Sequence, residues 1–161
     1  MSRLPFKDNS FQVVLSADAV EHIPAVHRIE WLKEMRRVSA GKVVIHCPIQ
    51  QEDVGFVATA YDRKFNDAHR YLFGVDEPNT QEHLRHGSPT LDQVRSALPG
   101  ATVRGTQNAR VWYFCILAQR IPFVSLLVGP MHRFLLWPWG QRPPFYSALI
   151  VDDPCEKGTN G

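Results

Sequence analysis

Cysteines and long apolar runs are scarce in this 161-residue sequence, and each scarcity excludes a class of protein. The three cysteines, Cys47, Cys115 and Cys155, are odd in number, widely separated and not at metal-ligand spacing. They suit a reducing compartment better than a disulfide framework. No apolar run follows the basic residue near the start, so we expect no signal peptide and a cytoplasmic protein.

Acidic residues are missing between Asp92 and Asp152, although the formal net charge of the chain is only +2. That charge is too small to argue for nucleic-acid binding. The stretch that begins at Val111 and ends at Trp139 mixes aromatic residues with arginines. One interpretation is helices packed on a sheet, and the other is peripheral docking on an anionic membrane. Arginines and prolines interrupt the stretch, so we expect no membrane span of ~20 apolar residues.

The first third of the chain predicts a β-α-β unit. Residues 11–16 form an apolar, β-branched run after a polar turn, which is typical of a strand buried on both faces. Pro24 suits the first turn of a helix, and Gly41 can end it. Apolar residues recur between these two at helical spacing, and residues 42–47 form a second buried strand. The connection is long enough for a right-handed crossover, so the two strands should be parallel.

The rest of the chain predicts helices and two further strands. We expect a helix within residues 53–73, a loop over 74–89, and a short helix opened by a capping box at Thr90 and Gln93. A strand at 102–107, helices at 108–120 and 125–136, and a last strand at 145–151 complete the pattern. We predict one domain over residues 1–151 and a disordered tail over 152–161.

The ordered set of residues in the first third resembles the class I, Rossmann-like methyltransferases that use S-adenosylmethionine (SAM), in particular the type 11-like group. The resemblance lies in Leu4-Pro5-Phe6, Asp8, Ser10-Phe11, Val13-Val14, Glu21-His22, Leu32, Glu34, Arg37-Val38 and Gly41. It implies an α/β fold with a partial Rossmann-like sheet, whose strands correspond to the family's fourth to seventh. The last strand, antiparallel, would pair with the strand at 102–107.

The resemblance also implies a site at the carboxyl ends of the strands, where ligands bind in open α/β sheets. Ser16, Ala17 and Asp18 would border the SAM cofactor, and Leu4, Pro5 and Phe6 would flank its adenine. His22 would be the catalytic base, although a histidine at a helix entry also bonds to backbone. Tyr61, His83 and His86 would contact the acceptor; the alternatives are helix packing for Tyr61 and exposed loop positions for the two histidines. His83 and His86 are of metal-ligating type, but no third residue lies at a spacing that suits a metal ligand, so we expect no metal site.

The Gly-rich turn that approaches the methionine end of SAM in this family is missing, since Gly-x-Gly occurs nowhere in the chain. We therefore expect the C-terminal half of a methyltransferase, inactive as an isolated chain, whose complete form methylates a small-molecule or lipid-linked acceptor. The alternative is a non-catalytic module that binds a partner or a membrane surface. In either case the first strand would leave an open sheet edge that invites self-association.

Overall fold

The computed structural model describes residues 3–131 and 137–154. In chain order the elements are β1 (Phe11–Ala17), α1 (Ala25–Val38), β2 (Ser39–Pro48), β3 (Gln50–Gln51), β4 (Phe56–Val57), α2 (Ala58–Phe73), α3 (Pro78–His86), α4 (Leu91–Ala97), β5 (Thr102–Asn108), α5 (Ala109–Ala118), α6 (Val124–Met131), α7 (Trp137–Gly140) and β6 (Phe145–Asp152). Short 3-10 turns lie at Val20–His22 and Glu52–Val54.

The strands of the described ranges form one mixed sheet. β1 pairs with β2 in parallel, with Leu15 opposite Val44 and Ser16 opposite Ile45. β6 lies between β2 and β5 and is antiparallel to both. The small β3–β4 hairpin joins the sheet beside Phe145. The predicted parallel β-α-β unit and the antiparallel final pair are confirmed, and so is the predicted partial Rossmann-like fold class.

The main core lies between the sheet and helices α1 and α4. Leu32 and Met35 of α1 pack in one buried cluster with Ile45 of β2. Val94 of α4 and Leu98, which follows α4, are buried in the same cluster. Fully burying one such side chain stabilises the fold by about 1.5–3 kcal/mol. The capping box that opens α4 is confirmed, because the side chains of Thr90 and Gln93 each accept from the other's backbone N–H.

The prediction that the first strand is buried on both faces is wrong. Only Ser16 of β1 is buried, whereas the side chains of Val13 and Leu15 are 56% and 68% exposed. α1 covers one face of the strand, and no described element covers the other. Local sequence indicated a strand correctly, but burial depends on neighbours that a local pattern does not reveal.

Two other predictions need correction. Gly41 does not end α1, which stops at Val38; it lies within β2, where a Cβ atom would collide with the carbonyl oxygen of Gln12 on β1. The segment 74–89 is not a continuous loop, because α3 forms inside it. Pro78 occupies the first helical turn, where its missing N–H costs nothing, and the Glu77 side chain caps the helix.

The C-terminal predictions have mixed outcomes. β5 and α5 lie close to the predicted segments, and the described part of α6 ends at Met131. β6 extends one residue further than predicted, to Asp152, which pairs with Val43. Of the predicted tail, residues 155–161 lie outside the described residues, and so do 132–136 of the predicted helix. Among the helices of the described ranges, none is long and apolar enough to cross a membrane.

Candidate functional site

A cavity of about 420 Å³ lies beyond the carboxyl ends of β1 and β2. We call it the central cavity; it is lined by Asp18, Glu21, His22, Pro48, Phe65, Glu77, Asn79, Thr80, His83, Gln107, Trp112, Ile116, Arg120, Tyr146 and Ser147. The position is the one predicted from the topology, since ligands of open α/β sheets bind outside the carboxyl ends of the strands. Acidic, histidine and aromatic side chains therefore line one cavity.

Asp18 closes the end of β1 and holds a histidine from the neighbouring strand. Its backbone has a positive φ of 47°, and its N–H donates to the carbonyl of His46 at 2.9 Å. The Asp18 carboxylate lies 3.1 Å from Nδ1 of His46, whose Nε2 lies 3.2 Å from the Thr106 hydroxyl. The hydrogen bond with His46 lowers the pKa of Asp18 below its ordinary value, and the same bond raises the pKa of His46.

His22 ends the 3-10 turn after β1 and lines the cavity while remaining half-buried. Its Nδ1 lies 3.0 Å from the carboxylate of Glu82 on α3. A neutral ring with its proton on Nδ1, the nitrogen nearer this carboxylate, has Nε2 as a proton acceptor. The role of His22 as a base stays a prediction. Glu82 was missed from sequence, because nothing in its local pattern connects it with a histidine 60 residues earlier.

His83 lies beside His22, with ring centroids 4.9 Å apart. Its Nδ1 is 3.5 Å from Oδ2 of the buried Asp62, and the Tyr146 hydroxyl donates to Oδ1 of Asp62 at 2.6 Å. Burial alone would lower the pKa of His83, but the Asp62 and Glu21 carboxylates outweigh it and raise the pKa. Burial and the nearby Asp62 charge raise the pKa of Tyr146, so its hydroxyl stays protonated as a donor.

Glu21 is fully buried beside these histidines, with only 1% of its surface exposed. Its Oε2 has no hydrogen-bond partner among the described residues. Burial raises the pKa of Glu21 above its ordinary value, because a carboxylate loses hydration there.

Arg28 fixes the elements that carry the site and was not singled out from sequence. The side chain is 1% exposed and donates to the carbonyl oxygens of Val20, Glu21 and Ile23 in the turn after β1. It also donates to the carbonyls of His86 and Gly87 at the end of α3. One guanidinium thus ties the turn that carries Glu21 and His22 to the helix that carries His83. The sequence does contain a signal for its burial, because this arginine lies one helical turn before Leu32, within the apolar stripe of α1.

The other predicted site residues do not all converge on the central cavity. Leu4, Pro5 and Phe6 lie at the C-terminal end of α1, where Leu4 N–H donates to Glu34 and the Phe6 carbonyl accepts from Arg37. They line a separate surface hollow, so their adenine contact stays a prediction.

The remaining predicted residues lie near the cavity without lining it. Ser16 is buried and its hydroxyl has no hydrogen-bond partner among the described residues, whereas Ala17 is exposed. Tyr61 packs edge-on against Tyr113, as the helix-packing alternative had it. His86 contributes its carbonyl to Arg28, and both His83 and His86 lie on α3 rather than in a loop.

Residues 1–45 match a family model described as a methyltransferase domain. The matched segment contains β1, α1 and the first part of β2, so the resemblance predicted from Leu4 to Gly41 is confirmed. Comparison with curated protein sequences finds no significant match.

Solved structures similar to this chain include several methyltransferases. A candidate sarcosine dimethylglycine methyltransferase from Galdieria sulphuraria is 18% identical, with 92% of this chain and 55% of that chain covered and a TM-score of 0.47. The [4+2]-cyclase SpnF is 14% identical, with coverages of 93% and 53% and a TM-score of 0.42. Phospholethanolamine N-methyltransferase 2 from Haemonchus contortus is 13% identical, with coverages of 92% and 34% and a TM-score of 0.43. The chain spans about half the length of the first two.

Proposed function

We propose that this chain is the acceptor-side part of a SAM-dependent methyltransferase that methylates a small-molecule or lipid-linked acceptor. The observation that carries the proposal is the central cavity. It lies beyond the carboxyl ends of β1 and β2 and is bordered by Asp18 and His22. Both residues belong to the segment 1–45 that matches a methyltransferase domain model. SAM, as cofactor, supplies the methyl group, and the residues of this chain bind and orient the acceptor.

The residues of this chain fit one side of a SAM site only. Asp18 and Ser16 lie at the end of β1, but no Gly-x-Gly turn occurs in the sequence to receive the methionine end of the cofactor. In addition, the outer edge of β1 has no strand partner within the described residues. We therefore propose that the cofactor-binding half is supplied by residues outside this sequence and that the isolated chain is inactive.

Calorimetric titration of the isolated chain with SAM tests whether this chain lacks a complete cofactor site. We expect no saturable binding up to about 1 mM, which corresponds to a binding free energy weaker than roughly −4 kcal/mol. Binding below about 100 μM would contradict the proposal, because the chain would then hold a complete cofactor site.

Within the proposed reaction, His22 accepts the proton that the acceptor loses. Glu82 is a positioning residue in this proposal, since its carboxylate lies 3.0 Å from Nδ1 of His22. A general base contributes about 10²–10⁴-fold to a rate. The acceptor oxygen or nitrogen would lose its proton to His22 as it receives the methyl group, whose bond to the sulfur of SAM would break.

The experiment begins with the gene sequence upstream of Met1, read in the same frame. Expression of the extended protein with isotopically labelled SAM and a small-molecule extract should yield a labelled, methylated product. His22→Gln should then lower kcat about 100-fold or more, whereas His27→Gln, on the neighbouring helix, should leave it unchanged. An extended protein without transfer activity, or an unaffected His22→Gln variant, would contradict the assignment.

A second candidate function is peripheral contact with an anionic membrane, favoured by the exposed surface of α6 and of Phe123, which precedes it. Val128 anchors this helix against α5, while Phe123, Leu126 and Leu127 are 84%, 75% and 66% exposed. We propose that these three side chains insert between lipids. Co-sedimentation with anionic phospholipid vesicles should be lost when all three become serine, and it should persist when exposed Tyr71 and Leu72 of α2 become serine. Equal loss in both variants would reject the contact.

We also propose that the chain self-associates through the outer edge of β1. The strand ends the sheet, and its Val13 and Leu15 side chains are exposed. Strand edges with apolar side chains pair readily with other chains.

A further inference from the structure

Three side chains of metal-ligating type meet in the central cavity, although the sequence spacing offered no third ligand. Glu21, His22 and His83 each present a ligand atom within 4.8 Å of the other two. Glu21 and His22 are neighbours in the turn after β1, and His83 arrives from α3. The cluster is therefore assembled by tertiary structure from positions about 60 residues apart, which local spacing cannot reveal.

The Glu21 carboxylate gives a second, independent indication of a ligand. The residue is 1% exposed, lines the cavity, and has an Oε2 atom without a hydrogen-bond partner among the described residues. An unpaired buried carboxylate is costly, and native structures satisfy such atoms with a donor, a proton or a metal ion. Since two imidazoles already lie beside it, a cation fits this position.

A carboxylate lies close to Nδ1 of each histidine, although Nδ1 of His83 and Oδ2 of Asp62 form no hydrogen bond with each other in the present geometry. Glu82 lies 3.0 Å from Nδ1 of His22, and Asp62 lies 3.5 Å from Nδ1 of His83. Asp62 is itself oriented by the Tyr146 hydroxyl. Metal-ligating histidines usually direct one ring nitrogen to a carboxylate, which fixes the ring and leaves the other nitrogen for the metal.

The two elements that carry the ligands are already fixed to each other. Arg28 donates to the carbonyl of Glu21 on one side and to those of His86 and Gly87 on the other. A tetrahedral Zn²⁺ ion with ligands at about 2.1 Å brings the ligand atoms to about 3.4 Å from one another. Side-chain movements of about 1 Å are sufficient to reach that geometry from the present one.

We propose that Glu21, His22 and His83 bind one divalent transition-metal ion of the Zn²⁺ type, with a cavity water as its fourth ligand. Two imidazoles and one carboxylate are a donor set that Zn²⁺ prefers, and this set leaves one coordination position open. The site goes beyond the proposed function and does not rest on it. A bound ion and a free His22 base exclude each other, so Zn²⁺ would inhibit a methyl transfer that uses His22.

The test is metal binding by the purified chain after treatment with a chelator and without SAM. Titration with Zn²⁺ should give one site per chain with micromolar or tighter affinity, and Co²⁺ should produce the visible absorption band of a four-coordinate ion. Zn²⁺ should also raise the melting temperature, because it binds the native state alone.

Matched variants make the site falsifiable. Glu21→Gln and His83→Gln should each weaken Zn²⁺ binding at least 30-fold, and Glu82→Gln should weaken it about 10-fold by removing an outer carboxylate. His27→Gln, outside the cavity, should bind like the wild type. Equal affinity in the wild type and Glu21→Gln, or no binding by a folded wild-type chain, would overturn the proposal. Circular dichroism of each variant shows whether it is folded, and Glu82→Gln serves if a ligand variant is not.

Discussion

Arg28 is a buried cation whose hydrogen bonds all go to backbone carbonyls and none to a carboxylate among the described residues. Its guanidinium instead meets five carbonyl oxygens, at Val20, Glu21, Ile23, His86 and Gly87. Desolvation by burial lowers the pKa of this arginine below its ordinary value. The five carbonyl oxygens therefore stabilise the buried charge by accepting its hydrogen bonds. The same hydrogen bonds hold the turn after β1 against α3.

Replacing Arg28 by Met should destabilise the protein by about 3–5 kcal/mol. The loss follows because several buried carbonyls lose a charged donor at once, which is more costly than losing a single neutral hydrogen bond. Urea unfolding measures the free energy. Arg63→Met, at an exposed position of α2, is the control and should change it by less than about 0.5 kcal/mol. A loss below 1 kcal/mol for Arg28→Met would show that water can replace the guanidinium.

The Asp18–His46 pair should make a small pH-dependent contribution to stability. Asp18 has a lowered pKa when folded, so its contribution is present above about pH 4 and is lost as the pH falls below that. His46 has a raised pKa, so its contribution is complete below about pH 6.5 and is lost as the pH rises through the folded value. Because Asp18 is largely exposed, the total should stay below about 1 kcal/mol.

An NMR titration of the His46 ring checks this pair directly. Asp18→Asn should lower the pKa of His46, since it removes the charge and the acceptor that stabilise the protonated ring. Asp67→Asn, an exposed acid on α2, should leave the His46 titration as it is. An unchanged His46 pKa in Asp18→Asn would mean that the pair does not form in solution.

At the scale of elements, local patterns predicted what local forces decide. The β1–α1–β2 unit and the capping box at Thr90 follow from periodicity and from side chains three residues apart. The helix α3 was missed because segment 74–89 was predicted as a loop, although the position of Pro78 just after the Glu77 cap favours a helix start. Gly41 was assigned to helix termination, whereas its role is set by the approach of another strand.

Gly41 allows β1 and β2 to approach each other, and Gly41→Ala should break that contact. The new Cβ would collide with the Gln12 carbonyl oxygen, which is backbone and cannot rotate away. We expect a loss of about 2–3 kcal/mol in urea unfolding. Gly129→Ala in α6 meets open space and should be neutral or stabilising, since alanine favours helix over glycine. Equal stabilities of the two variants would place the strands further apart than the structure does.

At the scale of the whole molecule, the candidate site was predictable only in part. Asp18 and His22 could be placed at the cavity because the end of a parallel strand is fixed by topology. His83 was singled out, but its approach to His22 depends on how α3 packs across the turn, and no spacing rule contains that information. Asp62, Glu82 and Arg28 act through tertiary contacts alone, so their roles appear only in three dimensions.

The exposed side of β1 should make the chain self-associate as its concentration rises. Val13 and Leu15 present apolar surface beside a strand edge that has no partner within the described residues. Sedimentation velocity over about 5–200 μM should show growing oligomers, because edge pairing satisfies free backbone groups and buries both side chains. Leu15→Lys should shift the chain toward monomer without loss of stability, as the side chain is 68% exposed.

Leu126→Lys on α6 is the matched control, because it places the same charge on a similarly exposed leucine. It should leave the oligomers of the wild type intact. Dissociation by Leu126→Lys but not by Leu15→Lys would transfer the contact to α6, and a wild-type chain that stays monomeric at every concentration would reject self-association altogether. Because the strand edge is the surface against which the proposed cofactor half would lie, the same Leu15→Lys variant should also fail to assemble with that half.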